Sequence, residues 1–191
     1  MLGYSVFLSD VDVAWLQNPF KLLARDSDVE GLSDGYDERT AYGYVDGIDD
    51  PSMGWSRYAQ TIRIFVLNSG LFYMRASNRT VILMDQITEH LARNKDWDQT
   101  VFNEKIWYPS HGSYRSAQVS VRVLDHLLWM NSKTLFKFQR HDSAGRNRKP
   151  VVVHVNYHPD KWERMKAVVQ RWVNGDAKAL DAFPGGSEPG S

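Results

Sequence analysis

The sequence predicts an α/β domain, on three observations. Short apolar, β-branched runs recur along the chain, amphipathic stretches of helical period separate the later ones, and an acidic pair closes the first run. The first run, residues 4–8, opens directly as a strand. Residues 25–53 are rich in Asp, Gly and Ser without clear period, and are expected as loop. Strands follow at 62–66 and 70–74. The stretch 79–94 places Val81, Met84, Ile87 and Leu91 on one helical face and ends near Arg93 and Lys95, where cations suit the helix dipole. A shorter helix is expected at 97–106 and strands at 119–123 and 149–155, the last a β-branched run suited to a buried position. Residues 159–174 read as a helix with Pro159 in its first turn and Gly175 past its end. The expected organisation is one domain over 1–182 and a flexible tail over 183–191, which is mostly Gly, Pro and Ser.

Composition narrows the function classes. Lys plus Arg and Asp plus Glu balance at 23 each, so there is no electrostatic footprint for nucleic acid or an anionic membrane surface. The chain has no Cys, which removes disulfide and thiolate-metal chemistry. No segment approaches the roughly 20 apolar residues that cross a bilayer. Seven Trp suit sugar-stacking surfaces as well as cores. Asn78-Arg79-Thr80 is a glycosylation acceptor triplet, a pointer toward the secretory path.

Four constellations carry chemistry. Asp10 and Asp12 stand one residue apart at the end of the first run. In a strand both would face the same side, able to share one cation, with Val11 and Val13 packed behind. The bland reading is a solvated acidic turn. Asn68-Ser69-Gly70 opens an apolar run, where Gly admits close approach to the backbone and Asn offers donor and acceptor to a hydroxyl; a strand-entry turn explains it equally. Asp98 can be the N-cap of the helix after Trp97, or Asp98 and Gln99 together can present polar groups to a sugar. His154 ends the last strand, where a neutral imidazole could complete an Asp-Asp-His cation set, and Lys161 stands at a helix start that favours phosphate. A core histidine before a capped helix is the alternative. A fifth pattern, Asp26, Asp28, Glu30, Gly31 and Asp37, follows calcium-loop spacing poorly, because Glu30 is too long, Asp37 too short and Ser33 replaces an apolar residue.

In this order, these segments resemble those of metal-dependent sugar-nucleotide transferases of the GT-A type. The chain resembles glycosyltransferase family 77, nearest the plant and green-algal "reduced residual arabinose" group. The segments that carry the resemblance include SDVDVAWLQNPF, LNSGLFYMRA, WDQTVFNE and HVNYHPDKWERM, and run from Ser9 to Gly190. The resemblance implies a Rossmann-like GT-A fold and a retaining transferase. It implies transfer of L-arabinofuranose from a UDP-sugar to hydroxyproline-linked arabinosides of extensin-like glycoproteins, in the Golgi lumen. It further implies Mn²⁺ or a similar cation held by Asp10, Asp12 and His154, a diphosphate held by Lys161, and Asn68, Asp98 and Gln99 near the reacting carbon. Only one strand precedes the acidic pair, so the comparison implies further N-terminal strand-helix units and a membrane anchor that this sequence lacks, and an exposed sheet edge. The alternatives are a non-catalytic remnant that binds glycan or a partner, a GT-A transferase of another UDP-pentose or hexose, and a calcium-binding module.

Overall fold

The computed structural model describes residues 3–50, 55–63, 66–143 and 148–185. In chain order they form β1 (Val6–Ser9), β2 (Val13–Trp15), β3 (Val29–Ser33), α1 (Glu38–Tyr42), β4 (Tyr44–Asp50), β5 (Trp55–Arg63), β6 (Leu67–Met74), α2 (Asn78–Arg93) and α3 (Asp98–Trp107). These are followed by β7 (Val121–Val123), β8 (Trp129–Asn131), a π-helical turn at Thr134–Gln139, β9 (Val152–His154) and α4 (Lys161–Trp172). The first sheet has the order β1-β6-β3-β7 and the second β2-β9-β8; β4 and β5 form a separate hairpin. β1 and β3 both run antiparallel to β6 and are therefore parallel to each other. Their carboxyl ends share the edge at which β6 begins.

Period-two alternation stacks the layers. On β6, Phe72 and Met74 face α2 and α3, meeting Leu83, Ile87, Val101, Phe102 and Ile106. Leu71 and Tyr73 on the same strand face the second sheet, meeting Val13, Trp129 and Val152. The second sheet's other face, Ala14, Met130, Val153 and Val155, packs on the π-helical turn and α4 through Leu135, Phe136, Ala167 and Val168. The result is helices, sheet, sheet, helix, with each fully buried Leu or Phe contributing about 1.5–3 kcal/mol. This mixed α/β architecture is the expected class.

Several expectations change. α2 is held by a capping box between Ser77 and Thr80 and buries Thr80, Leu83 and Ile87, whereas Met84 is exposed. The apolar face is thus rotated from the one read in the sequence, because Val81 and Met84 instead border a groove beside Tyr4 and Val6 on the exposed edge strand. Pro159 lies ahead of α4, whose N-cap is Asp160, and Gly175 follows it with φ +79°. Of the expected strand 62–66, Ile62 and Arg63 end β5 and residues 64–65 lie outside the described residues. The expected flexible tail is anchored at its start. Phe183 packs edge-on against Phe136, its carbonyl accepts from Arg140, and the Pro184 carbonyl accepts from Arg164. Residues 186–191 lie outside the described residues.

The largest correction concerns residues 25–53, expected as loop. They supply β3, buried at every position, then α1 and β4. The acids that made this stretch look solvated are instead bonded to main chain and side chains. Glu30, fully buried, accepts from the amides of Ala24 and Asp26. Asp28, also fully buried, accepts from the Ser120 amide and hydroxyl, the Ser77 hydroxyl and Arg75. Burial would raise the Asp28 pKa, but these bonds outweigh it and hold it at about 2. Asp26 pairs with Arg122, and Asp37 caps α1 through Thr40. The calcium-loop reading fails because these carboxylates are already engaged.

Asp28→Ala should cost about 3 kcal/mol, since it leaves Arg75 and the Ser120 amide without their acceptor. A group whose folded pKa is lowered from 3.8 to about 2 contributes fully above 3.8 and loses its contribution as pH falls through about 2. Urea titrations of wild type and variant should therefore differ at neutral pH and converge at the acid limit.

Candidate functional site

The site lies where the two sheets meet. The chain leaves β1 in the first sheet at Ser9 and enters β2 in the second at Val13, so Asp10-Val11-Asp12 is the corner between them. Asp10 and Asp12 converge through a turn and not through strand alternation. Val11, expected to pack behind, is 98% exposed; Val13 is buried as expected. The Asp10 amide donates to the Gly70 carbonyl at 2.7 Å, which fixes the corner on β6. β9 pairs with β2 in the register Val13↔His154, which delivers the His154 ring to the same point.

His154 Nε2 lies 3.1 Å from Asp12 Oδ1 and 3.7 Å from Asp10 Oδ2. The ligand atoms of Asp10, Asp12 and His154 all lie within 4.8 Å of one another. Two carboxylates and an imidazole form an oxygen-nitrogen donor set suited to a divalent cation. Gly70 makes the cluster possible. A Cβ there would overlap the Asp10 carboxylate and stand 2.8 Å from His154 Cε1. The close approach that this glycine was expected to give a ligand is taken up by these two side chains.

Lys161, the first residue of α4, donates to Asp12 Oδ2 at 2.7 Å. Burial would raise the Asp12 pKa, but the Lys161 hydrogen bond and the charges of His154 and Lys161 prevail and lower it. Asp12 is therefore ionised at neutral pH.

Facing this corner is the start of β6 and of α3. Asn68 Oδ1 accepts from the Gly70 amide at 2.8 Å, a turn that tightens the strand entry. Gln99 Oε1 accepts from the Ser69 amide at 3.2 Å, and the Ser69 hydroxyl donates to Asp98 at 3.2 Å. The N-cap of α3 is Trp97 and makes no side-chain cap, so Asp98 is not the cap that its position allowed; its carboxylate is turned to Ser69. Asp10, Asp12, Asn68, Asp98, Gln99, His154 and Lys161, all singled out in the sequence, line one cleft of about 360 Å³.

Asp34 was missed. It follows Ser33 at the end of β3, as Asp10 follows Ser9 at the end of β1, and this repeated strand-end acid was the available signal. Its carboxylate accepts from Asn68 Nδ2 at 2.8 Å, Gln99 Nε2 at 2.8 Å, Asn156 Nδ2 at 3.3 Å and the Tyr157 hydroxyl at 3.0 Å. Four neutral donors from β6, α3 and the segment after β9 thus share one acceptor. Burial and the Asp34 charge push the Tyr157 phenol up to about 12, so it remains a donor across the physiological range. Asn103 anchors the arrangement from below by bonding both main-chain groups of Leu67. His158 stands apart from the cleft, buried against Phe136.

The sequence profile of nucleotide-diphospho-sugar transferases matches residues 1–167. The chain belongs to the nucleotide-diphospho-sugar transferase family. Within this family it is 56% identical over 187 residues to the Arabidopsis thaliana arabinosyltransferase RRA2, covering 98% of this chain and 44% of that protein. It is 52% identical over 186 residues to arabinosyltransferase RRA1 of the same plant, covering 97% and 46%. A UDP-D-xylose:L-fucose alpha-1,3-D-xylosyltransferase 1 of Arabidopsis thaliana is 26% identical over 166 residues, covering 82% and 41%. The chain therefore spans less than half the length of each of these transferases. No solved structure matches. Among the described residues, no helix is long and apolar enough to cross a membrane.

Gly70→Ala should lower Mn²⁺ affinity about tenfold or more, because the added methyl displaces the Asp10 carboxylate. Water-proton relaxation during a Mn²⁺ titration reads this directly, and circular dichroism should show the fold retained.

Proposed function

We propose that this chain supplies the cation- and donor-binding portion of a metal-dependent, retaining arabinosyltransferase. The donor is UDP-L-arabinofuranose, the acceptor a hydroxyproline-linked arabinoside of an extensin-like wall glycoprotein, and the location the Golgi lumen. The carrying observation is the Asp10, Asp12 and His154 cluster, with ligand atoms within 4.8 Å and Lys161 beside it. Support for the sugar comes from relatives at 56% and 52% identity that are named arabinosyltransferases.

In this reading Asp10, Asp12 and His154 hold Mn²⁺ or a similar divalent cation. When bound, the cation neutralises the charge that builds on a diphosphate leaving group. Lys161 adds a second positive charge from the first turn of α4, where free amides also favour phosphate. Asp98 presents a carboxylate near the reacting carbon, where it stabilises developing positive charge in an oxocarbenium-like transition state. Asn68 and Gln99, fixed by Asp34, give hydroxyl groups of the sugar directional partners.

Isothermal titration of UDP into the chain tests this reading. With Mn²⁺ present UDP should bind, and without it affinity should fall about a hundredfold, at the upper end of what metal-supporting groups contribute. Asp12→Ala should reproduce the metal-free result. UDP binding that is indifferent to Mn²⁺ would rule the reading out.

A further inference from the structure

The chain is buried from Val151 through β9 to Asn156 and again at His158, yet Tyr157 between them is 56% exposed. Its backbone has φ +66°, a conformation that bulky L residues rarely adopt and that costs about 1–3 kcal/mol. A residue held there against its backbone preference has its side chain directed by the surroundings. The hydroxyl is fixed as well, by its 3.0 Å bond to Asp34. The ring is thus pinned at both ends while more than half of the residue stays exposed. It lines the same cleft as the cation cluster and as Asp98 and Gln99.

We propose that Tyr157, tethered by Asp34, is the platform on which a sugar ring rests in this cleft. The inference rests on the transferase reading given above and adds a residue to it. An aromatic face open to a polar-rimmed cleft suits one ligand chemistry well: a sugar ring whose C–H face lies on the aromatic carbon while its hydroxyls reach the rim. The rim groups are on hand, since Asp34 also holds Gln99, whose helix start carries Asp98. Asp34 is then a positioning residue that acts through Tyr157, Gln99 and Asn68. The tether explains why a tyrosine stands at this strained position, because phenylalanine could not bond Asp34 and glycine would present no ring.

The ring could belong to the donor or to the acceptor, and two measurements on the full chain separate them. The first is the ratio of UDP-arabinofuranose to UDP affinity with Mn²⁺, by isothermal titration. The second is saturation-transfer NMR of methyl arabinofuranoside in the presence of UDP and diamagnetic Mg²⁺. Tyr157→Ala should leave UDP affinity within about twofold and reduce one of these sugar signals about fivefold. Loss in the first measurement assigns the donor ring, and loss in the second alone the acceptor ring. Tyr157→Ala with both sugar signals unchanged overturns the proposal while metal-dependent UDP binding leaves the transferase reading intact. Absence of UDP binding in wild type overturns both. Should Tyr157→Ala fail to fold, Tyr157→Phe decides, since loss of the tether should still reduce a sugar signal about twofold and an unchanged signal overturns the proposal.

Discussion

The missing side chain of Gly70 is the constraint on which the site depends. Over that backbone position the Asp10 carboxylate and the His154 ring come together, each from a different sheet. Any Cβ would push one of them away. The contact lies where the fold turns from its first sheet to its second, beside the apolar layer of Leu71, Tyr73, Val13 and Val152 that joins the sheets. Site and architecture thus share one joint.

A second joint, Asp34, keeps the facing wall in place by a different kind of interaction. Its four partners are neutral amides and a phenol, so the carboxylate is satisfied in hydrogen bonds but not in charge. Asp10, Asp12 and Asp98 add to the same negative field, against which Lys161 is the lysine among the cleft's described lining residues. In the proposed function, such a field would attract a divalent cation and, through it, a diphosphate that the acids alone would repel.

The positions of α2, α3 and α4, the buried run before His154 and the gathering of the seven singled-out side chains in one cleft were legible because each carries a local signal: apolar period, or a polar residue at a strand or helix end. Other features depend on partners distant in sequence. Asp28 and Glu30 read as solvated loop because nothing near them in sequence reveals the Ser120 amide or the Ala24 turn that they bind. Asp98 read as a possible cap because its actual partner, Ser69, comes from another element. Val11 read as packed because alternation was assumed through a corner. Tyr157 gave no signal at all, since φ is set by tertiary context and its partner lies on β3's far end.

The central claim is that Asp10, Asp12 and His154 hold a divalent cation that in turn takes the diphosphate of a nucleotide-sugar. Electron spin-echo envelope modulation on Mn²⁺ added to the chain with UDP addresses this most directly. Nitrogen modulation from an imidazole ligand that vanishes in His154→Ala, together with phosphorus coupling from UDP, is the expected result. Bound manganese that shows neither coupling, or nitrogen modulation that persists in His154→Ala, would contradict it.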